Sequence, residues 1–259
     1  MRIIMIRHGD PDYEHDALTE KGRREAEILS ERVKKWNVAA FYCSPLGRAQ
    51  ATAAPTLAKT GRTAETKPWL REFLGRAYRP DKDAVSISWD FLPAYWTEQP
   101  ELFDLSRWQD AELVRSLEGR EITVDPSDNA WRAELVGGTD VKTAADAVAA
   151  GLDGLLAEYG YRRYHRCYTV DEHREDTIVF FCHFGVSSVM LSHLLNIPPV
   201  VLLHGLFLPT ASVSVVQTEE REPGIAYFRC QTLGDVSHLL AAGEPVNGAA
   251  AFCEVFQDR

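Results

Sequence analysis

The chain has few cysteines, and their spacing excludes two kinds of site. Its 259 residues include five cysteines, an odd number, and no two of them form a CxxC pair. A disulfide framework uses an even set of cysteines and a structural zinc site uses closely spaced pairs, so neither is indicated. Widely spaced thiols of this kind are typical of a reducing compartment, and we expect a cytoplasmic protein.

Long apolar segments are missing as well. No run of about 18 apolar residues occurs, which is the length that a membrane-spanning helix needs. The first residues, MRIIMIRHG, lack the apolar core and the small-residue cleavage site of a secretory signal. We therefore expect a soluble chain with no membrane partner.

Positive charge is the third deficit. The chain contains 28 Lys and Arg against 38 Asp and Glu, a net charge of −10. This balance argues against a general electrostatic attraction for nucleic acid or anionic lipid. An anionic ligand would have to be bound by a local cluster of cationic side chains.

Much of the acidic excess lies in one segment, residues 73–140. It holds 7 Lys and Arg against 14 Asp and Glu, a net charge of −7, and no clean alternation of strands and helices crosses it. Four of the six tryptophans also fall there: Trp89, Trp96, Trp108 and Trp131. We predict a single domain over residues 1–259 with a cap inserted at about residues 73–140.

Outside this segment, apolar runs predict buried strands. Nearly continuous apolar runs at residues 2–6, 38–43 and 177–182 are typical of strands that are covered on both faces of a parallel sheet. Two further strands, at residues 211–217 and 225–231, flank the turn-like sequence TEEREPG.

Amphipathic helices are predicted between the strands. Apolar residues recur at helical spacing in three segments, which are residues 19–35 with Thr19 as N-cap, 48–59 interrupted near Pro55 and stopped by Gly61, and 141–159. Alternating strands and helices predict an α/β fold: a three-layer α/β/α sandwich with a mainly parallel sheet and an inserted cap.

Polar residues that can carry chemistry follow three of the predicted strands. His8 comes just after the first strand, Arg48 follows the second, and His183 comes directly after the strand at residues 177–182. In open α/β sheets, ligands bind outside the carboxyl ends of the strands. The three side chains are therefore expected to converge at one edge of the sheet.

Short motifs surround these residues in a fixed order along the chain. RHG occupies residues 7–9 and SPLGRAQAT contains Arg48, while LTEKGRREA leads into the first helix with Glu25 near its end. WLREF contains Glu72, and CHFG contains His183. RHG alone is a weak signal, but the ordered set is specific.

Together these motifs resemble those of the histidine phosphatase superfamily, also called the phosphoglycerate mutase-like family. The resemblance spans nearly the whole chain outside residues 73–140. It departs from the usual pattern at Glu25, where a Gln is usual, and in CHFG, where Cys182 and Phe184 replace residues of the commoner SHGG.

The resemblance implies a metal-independent phosphatase that acts through a phosphohistidine. His8, Glu72 and His183 would be the catalytic residues, and Arg7, Arg48 and His183 would bind the phosphoryl group. It implies no metal and no cofactor, and its partner would be a small phosphorylated substrate. No feature of the sequence predicts an oligomeric state.

Physical chemistry supports the same set of residues. A phosphoryl group in transfer spreads negative charge over its equatorial oxygens, so several donors must be aimed at one point. His8 needs a neutral ring nitrogen to attack phosphorus. Glu72 would protonate the leaving oxygen. Three other acids, Glu65, Asp81 and Asp83, lie close enough in the sequence to be alternatives to Glu72.

Other interpretations stay open. Arg76 and Arg79 follow Glu72 closely and could form the cationic clamp of a phosphoglycerate-type mutase. A catalytically silent phosphate-binding protein could keep the same fold. The segment GDVSHL resembles one found late in several phosphatases of the family and could bring His238 near the pocket, although a structural role fits equally well.

Overall fold

The computed structural model describes residues 1–80, 83–89, 91–120 and 139–248. The strands within these ranges are β1 (Arg2–Arg7), β2 (Pro11–Asp12), β3 (Ala17–Leu18), β4 (Ala40–Cys43), β5 (Ala64–Thr66), β6 (Arg76–Arg79), β7 (Ala84–Ile87), β8 (Tyr161–Tyr164), β9 (Cys167–Val170), β10 (Thr177–Cys182), β11 (Val213–Glu222) and β12 (Ile225–Asp235). The α-helices are α1 (Glu20–Val33), α2 (Gly47–Thr60), α3 (Pro93–Thr97), α4 (Glu112–Arg115), α5 (Val141–Glu158), α6 (Phe184–Leu195), α7 (Pro199–Gly205) and α8 (Ser237–Ala241). Short 3₁₀ helices span Pro68–Leu70, Pro100–Phe103 and Trp108–Asp110.

The central sheet is parallel in one half and antiparallel in the other. Its strand order is β5-β4-β10-β1-β11-β12-β9-β8. The first four strands pair in parallel, whereas every pair from β1–β11 onward is antiparallel. The antiparallel half is made of two hairpins, and strands joined by tight turns can pair only in this way. The predicted α/β fold class is confirmed, in the form of a mixed sheet.

The β11–β12 hairpin is longer than the sequence pattern predicts. Residues 218–222 of the predicted turn belong to β11, and the chain reverses only at Pro223 and Gly224. Gly224 has a φ of 80°, a conformation that glycine adopts without steric strain. The predicted turn was therefore too wide, because its charged residues continue the exposed part of a strand.

Both faces of β1 are buried, as its continuous apolar run predicts. Ile3 and Met5 belong to the core cluster that includes side chains of α5 and α6. Ile4 and Ile6 belong to a second cluster, which includes side chains of α1 and α2. Helices thus cover both faces of the sheet, which confirms the three-layer arrangement.

Helix ends follow the predicted signals, with one exception. The Thr19 hydroxyl accepts a hydrogen bond from the Gly22 amide at 3.0 Å and caps α1. Gly61 ends α2 in the left-handed conformation, with a φ of 63°. The predicted interruption near Pro55 was wrong, because α2 continues through it and is buried on both sides of it, by Ala53 and Thr56 among others. In the ranges that the structure describes, no helix has the length and apolar character to cross a membrane.

The described part of the predicted cap contains the β6–β7 hairpin and short helices. Trp108 is buried there, and the Trp96 ring stacks on His204 of α7 with 4.7 Å between ring centroids. These contacts agree with a core role for the two tryptophans. Trp131 lies outside the described residues, and the boundaries of the cap stay a prediction.

A glycine contact between α1 and the segment after β1 gives a test of this fold. A Cβ on Gly22 would lie 2.2 Å from the Asp10 carbonyl oxygen, whereas a Cβ on the exposed Gly154 of α5 would meet nothing within 4 Å. We expect Gly22→Ala to lower the free energy of unfolding by about 2 kcal/mol or more, because backbone must move. Gly154→Ala should raise it by about 0.5–1 kcal/mol, because alanine favours the helix. Urea unfolding of both variants measures the two changes, and equal shifts would contradict the packing described.

Candidate active site

Three strand ends meet at one edge of the sheet. Because β10 lies between β1 and β4 and runs parallel to both, the three strands end at a similar level. The residues that follow them are His8, Ser44 and His183. The ring centroids of His8 and His183 are 5.1 Å apart, so the structure brings the two predicted histidines together.

The backbone and the ring of His8 are both fixed. Its amide donates to the Cys182 carbonyl at 2.9 Å, and its carbonyl accepts from the Ala211 amide at 3.0 Å. Its Nδ1 lies 2.7 Å from the Gly9 carbonyl oxygen. Since a carbonyl can only accept, this contact places the ring proton on Nδ1 and leaves a lone pair on Nε2.

His183 is held by Ser44. The Ser44 hydroxyl oxygen accepts from the Leu46 amide at 3.2 Å and lies 2.7 Å from Nε2 of His183. The hydroxyl hydrogen can therefore be donated to Nε2, which places the imidazole proton on Nδ1. That Nδ1 is buried and has no hydrogen-bond partner among the described residues. An unsatisfied buried donor of this kind is suited to an oxygen of a bound ligand.

Both histidines are kept neutral by their surroundings. Burial lowers the pKa of His8 well below its ordinary value, and Arg7 and Arg48 lower it further. Burial also lowers the pKa of His183, with Arg48 as the next cause. Near neutral pH, each ring therefore has one N–H and one lone pair, and that of His183 accepts from the Ser44 hydroxyl.

Arg7 and Arg48 supply two buried cations. Arg7, the last residue of β1, donates from Nη1 to the Leu208 carbonyl at 2.6 Å. Arg48, in the first turn of α2, donates from Nη1 to the Asp16 carboxylate at 2.6 Å. Their side chains are only 5% and 1% exposed, so their charges act in a medium that screens them weakly.

The Glu72 carboxylate lies against the N-terminus of α6. Its Oε1 accepts from three amides, those of Phe73, Gly185 and Val186, at 2.8, 2.9 and 3.2 Å. Burial raises the pKa of the Glu72 carboxyl above its ordinary value, although Arg48 and the Phe73 amide oppose this effect. The carboxyl is thus poised to hold a proton at higher pH than an exposed glutamate.

The alternative acids are placed differently. Glu65 is exposed on β5 and pairs with Lys67 at 2.7 Å. Asp83 is exposed and accepts a hydrogen bond from the Tyr78 hydroxyl. Asp81 lies outside the described residues. Of the three acids that the structure describes, Glu72 is the one whose contacts reach the segment after His183.

Two buried groups that the sequence analysis assigned no role hold the segment after His8. Both oxygens of the buried Glu25 are used, one by the Asp10 amide at 2.8 Å and the other by the Thr210 hydroxyl at 3.2 Å. The Thr52 hydroxyl accepts from the Gly9 amide at 2.9 Å. A charged residue beside Ala26 on the apolar face of α1 was the available signal for Glu25.

Aromatic side chains surround the site on the cap side. The Trp89 ring meets the Phe184 ring edge to face, with 6.1 Å between centroids, and the Arg7 guanidinium lies 5.8 Å from the Phe184 ring. A Cβ on Gly185 would lie 2.7 Å from Trp89 and 2.8 Å from Glu72 Oε1, so glycine is needed there. Phe184, a departure from the usual motif, is thus part of the wall beside Arg7.

The contacts of His238 and Cys182 differ from those of the five predicted site residues. Nδ1 of His238 lies 3.1 Å from the Arg32 guanidinium on α1, and burial lowers the pKa of His238 to about 4. Burial raises the pKa of the Cys182 thiol to about 12, which keeps it protonated. Among the described residues, no group of three or more His, Cys, Asp or Glu side chains is arranged to hold a metal ion.

Comparison with known proteins identifies a related family. The profile of the histidine phosphatase superfamily (branch 1) matches residues 3–124, a range that includes Arg7, His8, Arg48 and Glu72. No curated protein matches the chain.

Solved structures with a similar fold include several phosphatases. The mycobacterial glucosyl-3-phosphoglycerate phosphatase is 18% identical with a TM-score of 0.54, over 90% of this chain and 98% of that one. The α-ribazole phosphatase of Shigella flexneri is 20% identical with a TM-score of 0.55, over 91% and 96%. The phosphoserine phosphatase of Entamoeba histolytica, in complex with phosphoserine, is 15% identical with a TM-score of 0.54, over 92% and 98%. At these identities the likeness concerns the fold.

The geometry predicts binding of a tetrahedral anion between the two arginines. Arg48→Ala should weaken the binding of inorganic phosphate by at least about tenfold, because a charge-assisted hydrogen bond is lost. Arg62→Ala is the matched control, since Arg62 donates to the Val38 and Ala39 carbonyls at the opposite end of β4. Isothermal titration with phosphate measures both. Equal affinities of the Arg48→Ala variant and the wild type would contradict the site.

Proposed function

We propose that the chain is a member of the histidine phosphatase superfamily, whose model matches residues 3–124, and that it hydrolyses a phosphomonoester through a phosphohistidine on His8. The observation that carries the proposal is the state of the His8 ring. Its Nδ1 is bonded to the Gly9 carbonyl and its pKa is lowered by burial and by two arginines, so Nε2 keeps a lone pair near neutral pH. A fixed, neutral imidazole beside two guanidinium groups is a nucleophile for phosphorus.

Three residues bind the phosphoryl group in this proposal. Arg7 and Arg48 offer guanidinium donors, and His183 offers the buried Nδ1 that has no partner in the described part of the chain. Such donors stabilise the negative charge that spreads over the equatorial oxygens during transfer. The proposal invokes no metal and no cofactor.

In the first step, Nε2 of His8 attacks phosphorus and the bond to the leaving oxygen breaks. The leaving oxygen takes the proton of the Glu72 carboxyl. Because Oε1 of Glu72 already accepts from three amides, the proton resides on Oε2. The raised pKa of Glu72 favours the protonated form that this step requires.

In the second step, water attacks the phosphohistidine. The Glu72 carboxylate takes a proton from the water as its oxygen bonds to phosphorus. The P–N bond breaks and its electron pair returns to Nε2 of His8. Inorganic phosphate is released, and both residues regain their starting states.

Charge favours a phosphatase over a mutase. A mutase must retain a doubly phosphorylated intermediate inside a closed site. The segment at residues 73–140 carries a net charge of −7, which opposes such a polyanion. A catalytically silent phosphate-binding protein is disfavoured because all five proposed residues are present and the charges of Arg7 and Arg48 act on His8, His183 and Glu72 alike.

A trapped intermediate tests the proposal directly. Rapid quench during turnover should yield a phosphoenzyme that is labile to acid and stable to base, as expected for a phosphorus–nitrogen bond on His8. It should be missing in His8→Ala, whereas His193→Ala, which removes a histidine paired with Asp153, should retain it.

The same preparation separates the alternatives. Phosphate released from a panel of phosphomonoesters without added metal supports a phosphatase. Isomerisation of 3-phosphoglycerate that exceeds phosphate release would favour the mutase, and the lack of any turnover would favour the silent protein.

The role of Glu72 is tested by the leaving group. Glu72→Gln should slow hydrolysis of alkyl phosphates by about 10²-fold or more, because their poor leaving groups need a proton. Hydrolysis of activated aryl phosphates should be affected much less. Glu65→Gln, which removes an exposed carboxylate from β5, is the control and should leave both rates near wild type. Equal losses for the two substrate classes in Glu72→Gln would move the acid elsewhere.

A further inference from the structure

We propose that Asp16 is a positioning residue that holds Arg48 in the empty pocket and lowers the affinity of the pocket for the phosphate it releases. The identity of the released ion rests on the proposed function. The contacts of Asp16 do not, because they join residues of this chain to one another.

Both carboxylate oxygens of Asp16 are engaged at the start of α2. Oδ1 accepts from Nη1 of Arg48 and Oδ2 accepts from the Gly47 amide, each at 2.6 Å. Gly47 is the first residue of α2, where amides without partners in the helix favour an anion. The carboxylate of Asp16 therefore satisfies the same cation that the substrate would use.

The backbone accommodates this contact in two ways. Asp16 has a φ of 47°, in the left-handed region that a residue with a Cβ rarely adopts. A Cβ on Gly47 would lie 2.2 Å from the Asp16 carbonyl oxygen, so the close approach of the two segments depends on glycine. Strain of this kind persists where the surrounding contacts determine the conformation.

The loop that carries Asp16 also covers Arg48 on a second side. The Tyr13 ring lies 5.5 Å from the Arg48 guanidinium, and Tyr13 is 39% exposed. The Asp16 side chain is 34% exposed, whereas that of Arg48 is 1% exposed. Asp16 and Tyr13 thus form the outer wall of Arg48, between the buried guanidinium and solvent.

These contacts act differently on the empty and on the loaded pocket. A buried guanidinium without an acceptor is unfavourable, so Asp16 stabilises the pocket before substrate binds. When a phosphate dianion binds, it meets a guanidinium that is already paired and a carboxylate close by, and these like charges repel, most strongly at low ionic strength. Asp16 thus favours the empty state over the loaded one, and phosphate leaves faster.

The test is a charge-neutral variant that keeps the shape. Asp16→Asn retains an oxygen that can accept from Arg48 but removes the negative charge. We expect the Kd for inorganic phosphate, measured by isothermal titration at low ionic strength and pH 8, to fall about tenfold. The KM for an aryl phosphate and the Ki for phosphate should fall by a similar factor, while kcat does not rise.

Two further variants make the result specific. Asp12→Asn removes a charge at the end of β2, just before the same turn, where Asp12 is paired with His15 at 2.9 Å, and should change the Kd less than twofold. Asp16→Gly removes the charge while easing the positive φ, and it should tighten phosphate binding even if Asp16→Asn folds poorly. Disruption of a structural contact does not tighten binding, so the direction of change separates the proposed role from a purely structural one.

The outcomes are distinct. Unchanged or weaker phosphate binding in both Asp16 variants would overturn the inference, as would equal tightening in Asp12→Asn. If the wild type binds phosphate but hydrolyses no phosphomonoester, the proposed function fails, while the Kd comparison still decides the role of Asp16.

Discussion

Two guanidinium groups are buried at one edge of the sheet, and their charges determine which acceptors the site must supply and how its histidines are protonated. Arg7 and Arg48 have lost nearly all contact with solvent, so each needs an acceptor from the protein itself. The Leu208 carbonyl serves Arg7, and the Asp16 carboxylate serves Arg48. Their positive charge also adds to burial in lowering the pKa of His8 and of His183. The cations proposed to bind a phosphoryl group therefore also keep the nitrogen that would attack it unprotonated.

The same charges also lower the pKa of Glu72, but there they oppose the effect of burial instead of adding to it. Burial raises the pKa of its carboxyl, and Arg48 is the largest of the effects that lower it. Amide donors at the start of α6 stabilise the carboxylate further. A group that must hold a proton in one step and accept one in the next needs such a balance, because a strongly biased carboxyl would fail in one of the two steps.

The ends of the predicted strands were enough to predict that His8 and His183 lie close together, because neighbouring parallel strands end at the same edge of the sheet. Sequence could not predict the partner of Arg48, since Asp16 reaches it through a left-handed turn that no local pattern signals. It also could not predict β8 and β9, because each is only four residues long and β8 carries two arginines. The helix α2 continues through Pro55 because the burial of its side chains against the sheet offsets the cost of a proline inside a helix, and a sequence pattern does not show this burial.

Hydrogen bonds through single side chains tie the elements of the site together. The Thr52 hydroxyl accepts from the Gly9 amide and donates to the Arg48 carbonyl at 2.8 Å, so it joins the segment after β1 to α2. Glu25 joins α1 to Asp10 and to Thr210, near the segment whose Leu208 carbonyl binds Arg7. Donors held in this way need little reorganisation when negative charge develops, and preorganisation of this kind is what electrostatic stabilisation of a transition state requires. A pocket that binds only the phosphoryl group, as proposed, would not distinguish one phosphomonoester from another, so selection would come from the surface beyond it, where Tyr13 and Trp89 lie.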